Sequence, residues 1–147
     1  MADQDTEATR IRITLRWIKI LDNLEPSFKE KGEFRFRGRI SSDAGEGFSA
    51  ERGFPEKGFY SISDRPGWNF MEMNKVIFEG EVRDQMVVEF FGEELDDFSA
   101  DDHLDSYRRE FHGDPEEWLG VYKPHDERDD DPEQLSNWHL CYVIERA

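Results

Sequence analysis

Sulfur chemistry is almost absent from this chain. Cys141 is its single cysteine, which excludes an intramolecular disulfide and makes a reducing, cytoplasmic setting the expectation. Long apolar runs are missing too, and none approaches the roughly 18 residues that cross a bilayer. The opening MADQDTEATR is polar and acidic, so it is expected not to act as a secretory leader. Bases are scarce: 19 Lys and Arg face 35 Asp and Glu, for a formal net charge of −16. That balance argues against direct binding to nucleic acid, where cations must meet phosphate. It also predicts weak or no binding to an anionic membrane.

Catalytic and nucleotide motifs are lacking as well. There is no GxSxG, no HExxH, no phosphate-cradling glycine loop and no CxxC. The four histidines show no zinc-ligand spacing. His139 reads as structural and His125 as solvated. Cys141 has no activating base beside it. Acids are so numerous that no pair stands out for acid–base work. The expectation is therefore no enzyme, with no catalytic residue to name. EF-hand spacing fails from Asp96, where Phe98 occupies a ligand position, and from Asp126, where Arg128 does.

What is present is aromatic and alternating. Twelve Phe and four Trp in 147 residues supply a core for one domain. Residues 10–20 place Ile11, Ile13, Leu15 and Trp17 opposite Arg10, Arg12, Thr14 and Arg16. Residues 33–40 set Phe34, Phe36 and Ile40 against Arg35, Arg37 and Arg39. This period of two predicts half-buried strands. Further strands are expected at 47–53, 57–62, 70–82 with a bulge near Lys75-Val76-Ile77, 85–92 and 137–145. Arg83-Asp84 reads as a tight hairpin connection. Residues 104–111 fit strand or helix. Asp114 to Gly120 has an N-cap, a proline at the first helical position and a closing glycine, so one short helix is expected there. About eight strands with turns between them imply an all-β antiparallel sandwich. Residues 1–9 are read as a disordered tail and 10–147 as the domain, with Trp17, Phe36, Phe90 and Trp138 buried. Lys123 to Glu133 reads as a floppy loop.

The stretch EELDDFSADD, residues 93–102, follows an apolar strand and holds acids with no base. Glu94 and Asp96, two apart near a strand end, point the same way. A short loop then brings back Asp102. Glu94-x-Asp96-(five residues)-Asp102 resembles the third loop of C2-type calcium- and lipid-binding β-sandwiches. Leu21-Asp22-Asn23-Leu24 after the first strand is similar to that family's first loop, with Glu33 in the second acidic place. Leu135 to Ile144 resembles its last strand.

The resemblance implies an eight-stranded C2-like sandwich and a calcium site formed by Asp22, Glu33, Glu94, Asp96 and Asp102. The chain departs from the family pattern in several places. Glu stands at two ligand positions, Asp22 and Glu33 are eleven apart, and Asp105 occupies a common glycine position. Lys57 looks isolated, so no basic strand that grips phosphoinositides is expected. The function implied is a non-enzymatic, calcium-binding module. The alternative is an acidic protein-interaction module that recruits a basic partner or mimics nucleic acid.

Overall fold

Alternation carries most of the chain into strands. A computed structural model describes residues 8–21, 31–43, 49–63, 65, 67–95, 102–125, 131 and 133–147. The strands are β1 (Thr9–Ile20), β2 (Lys31–Ser42), β3 (Ser49–Phe54), β4 (Tyr60–Ser63), β5 (Phe70–Val82), β6 (Gln85–Glu94), β7 (Asp102–His103), β8 (Tyr107–His112), β9 (Gly120–Tyr122) and β10 (Trp138–Arg146). One sheet runs β5-β1-β10-β9. The other runs β3-β2-β6-β7, with β4 also on β2 and β8 also on β6. All the pairings are antiparallel. β3 and β4 share one flank of β2, while β7 and β8 share one flank of β6. The ten segments therefore fill eight strand positions, four in each layer. Among the described residues no helix is long and apolar enough to cross a membrane.

The core lies between the inner faces. Phe36 of β2 stacks on Trp138 of β10, with ring centroids 5.6 Å apart, and so ties one sheet to the other. The hydroxyls of Tyr107 on β8 and Tyr142 on β10 meet at 2.6 Å, which satisfies polar atoms that burial would otherwise penalise. The Tyr107 hydroxyl also donates to Asp131. Burial, joined by its polar neighbours Tyr142 and Asp131, pushes the Tyr107 phenol far up, so it stays neutral. Arg109 pairs with the same carboxylate at 3.4 Å. Asp131 is thus buried, and the end of the expected floppy loop is pinned to the core. The rest of that loop, residues 126–130 and 132, lies outside the described residues.

Phe36, Phe90 and Trp138 are buried as expected. Trp17 is not: it is half-buried on the outer face. The cause is a register slip against both neighbours between Leu15 and Trp17. Ile18 and Ile20 become the inward residues after the slip. The bulge expected near Ile77 is present, where β5 slips against β1 between Ile13 and Thr14. The short helix is a 3-10 turn over Pro115–Trp118, and the Asp114 side chain accepts from the Glu116 amide. β7 and β9 add segments that alternation had not marked.

Candidate functional site

The acidic end of β6 was the first site to place. Glu94 ends the strand, in register with Phe34 on one side and Asp102 on the other. Its side chain follows Met86, Val88 and Phe90 onto the inner face and is fully buried. Glu33 is a backbone neighbour, and its carbonyl accepts from the Leu95 amide at 2.7 Å. The pleat, however, sends Glu33 outward with Arg35, while its neighbour Phe34 turns in. Glu33 and Glu94 therefore face opposite sides of one sheet. Asp102 is placed by its backbone alone, and Asp22 and Asp96 lie outside the described residues. Among the described residues no group of three or more His, Cys, Asp or Glu is arranged to hold a metal ion. Spacing alone puts residues near a strand end in one cluster. The two-residue period separates Glu33 from Glu94 by face.

A second site lies on the outer face of the same sheet. It is a groove of about 660 Å³ whose lining includes Arg35, Arg37, Lys57, His103, Phe54 and Phe91. Register explains the convergence. Arg37 sits between Gly53 on β3 and Phe91 on β6. Arg35 sits beside Glu93, which in turn pairs with His103. The Arg37 guanidinium lies 4.6 Å above the Phe91 ring and 3.4 Å from Glu51. Arg35 donates to the Gly58 carbonyl at 3.0 Å and so anchors the 55–58 connection that carries Lys57. Gly53 has no side chain to close the space beside Arg37, and a Cβ there would meet only the Phe36 carbonyl, at 3.8 Å.

The neighbouring row is closed by ion pairs. Arg39 lies 2.9 Å from Glu89, and the hydrogen bond to Glu89 raises its pKa. Glu56 and Glu93 are the acids of the groove lining. Two guanidiniums and an ammonium thus share the wall with two carboxylates and two aromatic rings. Guanidinium forks match carboxylate and phosphate oxygens, and the rings add apolar contact. Ser106 and His103 also line the groove. No hydrogen bond joins Ser106 to His103 among the described residues.

The sequence held half of this site. The arginines alternate in β2, but Lys57 seemed isolated because its neighbours belong to other strands. Lys57, isolated in sequence, is not isolated in space: β2, β6 and the connection after β3 bring it to one groove with Arg35 and Arg37.

No protein-family model and no curated protein sequence matches the chain. Solved structures do. Human GIVD cytosolic phospholipase A2, in complex with Methyl gamma-Linolenyl Fluorophosphonate inhibitor and Terbium Chloride, is similar over 97% of this chain at 11% identity, with a TM-score of 0.52. The same enzyme with Methyl gamma-Linolenyl Fluorophosphonate matches at 12% identity, TM-score 0.51, again over 97% of this chain. This chain spans 18% of the length of each of those phospholipase chains. A structure of a C2 domain is matched over 93% of this chain and 98% of that one, at 14% identity and a TM-score of 0.37. At these identities the likeness is one of fold, and the fold of this chain is a C2-like antiparallel β-sandwich.

Proposed function

We propose that this chain is a non-catalytic binding module whose groove on the outer face of the β3-β2-β6-β7 sheet receives an anionic group carried on an apolar body. One observation carries the reading. Arg35, Arg37, Lys57 and His103 line one groove together with the Phe54 and Phe91 rings in a chain of net charge −16. Long-range attraction for anions is therefore absent, and affinity comes from contacts inside the groove. Calorimetric titration tests this with three probes: phenyl phosphate, phenylacetate and inorganic phosphate. The aromatic anions bind more tightly than inorganic phosphate, because only they use the rings. Arg37→Gln with Lys57→Gln removes two charge-assisted contacts of about 1.5–3 kcal/mol each, together a loss of at least about a hundredfold in affinity. Equal heats for the variant and the wild type would sink the proposal.

Glu94 favours a second reading. A carboxylate buried at the sheet end, in backbone register with Asp102, adjoins the acids of residues 95–102 in sequence. We propose that calcium binds there through Glu94, Asp96 and Asp102, with Asp22 from the first loop; Glu33 faces away. Calcium takes six to eight oxygen ligands, whereas magnesium demands a tighter octahedron. Binding to the folded state alone adds about 2.7 kcal/mol at one hundred times the dissociation constant. Thermal melts in chelator, calcium and magnesium test it: calcium raises the wild-type midpoint most, and Asp96→Asn abolishes the rise. Identical wild-type melts in all three would remove calcium from the account.

A further inference from the structure

The opposite sheet carries a ring ladder that neither site uses. Phe70 of β5 packs on Trp17 of β1 at 5.4 Å, and Trp17 lies 5.6 Å from His125. His125 and His139 lie face to face, with centroids 3.9 Å apart and planes 12° from parallel. Register explains the stack. β9 pairs Tyr122 with Tyr142 and Val121 with Val143. The same register continued past Tyr122 sets Lys123 opposite Cys141 and His125 opposite His139. The stacked imidazoles thus join the turn after β9 to β10.

Cys141 stands two residues along β10 from His139. It shares the outer face with His139 by alternation and stands in register with Trp17, yet only 4% of it is exposed. Trp17 stands beside it on β1, and the continued register sets Lys123 on its other side. Burial raises the Cys141 thiol, and Lys123 and Arg16 act in the opposite sense.

We propose that the His125–His139 stack is an acid-released latch: neutral imidazoles hold the end of β9 and the turn after it over Cys141, and protonation of the stack lifts that turn and uncovers the thiol. Every packed element contributes charged or titratable groups to the surroundings. β1 supplies Arg16 and Lys19, the latter in register with His139. β5 supplies Glu72, in register with Trp17. β10 supplies Cys141, and the turn supplies Lys123 and His125. Burial opposes a proton on His139 first, and His125 and Lys19 oppose it further, lowering its pKa to about 4 from 6.5. A base held neutral in the folded state contributes its full stability above the ordinary pKa. That contribution falls away between about pH 6.5 and 4, because the open form takes up the proton first.

Labelling of the intact chain with 4,4′-dithiodipyridine, which reacts with thiols in mild acid, tests the latch. The range from pH 7.5 to 5.5 stays above the isoelectric point near 4.6. Each rate is divided by that of a cysteine peptide at the same pH. The normalised rate rises about tenfold between pH 7.5 and 5.5 for a one-proton release, most of it below pH 6.5. His139→Phe keeps a ring in the stack without a proton site, and its normalised rate stays low throughout. A flat wild-type profile, or the same rise in His139→Phe, overturns the latch. So does loss of the near-UV circular dichroism in step with labelling, which would mean global unfolding. An NMR titration of the His139 ring checks the wild type independently: its midpoint lies well below 6.5, and an ordinary midpoint would contradict the proposal.

Discussion

Asp105 shows how one carboxylate organises a connection. Its Oδ2 accepts from the Ser136 amide at 2.8 Å, the Ser136 hydroxyl at 2.5 Å and the Asn137 amide at 3.4 Å. Its backbone is held in return: the amide donates to Asn137 Oδ1 at 3.0 Å, and the carbonyl accepts from Trp138 Nε1 at 2.8 Å. The position departs from the C2-type glycine pattern because the side chain ties the start of β10 to the connection before β8. The Ser136 hydroxyl, then the backbone amides of Ser136 and Asn137, hold its pKa below the ordinary carboxylate value, against a smaller opposing effect of burial. A depressed acid contributes stability above its unfolded pKa, and that contribution is lost as pH falls through the folded value. Asp105→Ala therefore costs about 1–3 kcal/mol at neutral pH, measured by urea melts. The difference from wild type shrinks below about pH 3.8, the ordinary value. A cost that does not change with pH would show that shape matters there and charge does not.

Strands were legible wherever alternation ran for six residues or more. β1, β2, β5, β6 and β10 begin and end within two residues of the expected bounds, because one face of each is buried and pins the register. β7 and β9, of two and three residues, are too short to show a period. Trp17 was assigned to the core because no sequence pattern announces a slip within β1. The groove's arginines were visible as a stripe, but their convergence with Lys57 and His103 depends on pairing between distant strands. Of the expected calcium ligands, spacing gave proximity along the chain and missed the face on which Glu33 lies. The β5–β6 hairpin offers a test at this scale. Its two-residue connection is read by Asp43, whose carboxylate accepts from the amides of Arg83, Asp84 and Gln85 at 3.1, 2.9 and 3.2 Å. Asp43→Ala leaves those amides to water and costs about 1–3 kcal/mol. The amides of residues 83–85 exchange hydrogen faster, while those of β10 slow or speed only with global stability. An unchanged melting midpoint would show that the hairpin closes without this cap.

Charge is spread unevenly over the whole molecule. Acids crowd residues 93–102 and 126–131, whereas Arg35, Arg37 and Lys57 gather at the groove on one sheet. The net charge of −16 hides that local gathering of cations, which share the groove with Glu56 and Glu93, and composition alone pointed to cationic partners. The latch, on the opposite sheet, shares no residue with the groove, so the two fail or stand separately. A titration of the uniformly ¹⁵N-labelled chain with phenyl phosphate decides whether the groove binds. Binding there gives saturable shifts concentrated at the amides of Arg35, Arg37, Gly53, Lys57, Phe91 and His103, and Arg37→Gln with Lys57→Gln removes them. Shifts scattered over both sheets, or saturable shifts that survive the double substitution, would contradict binding in the groove.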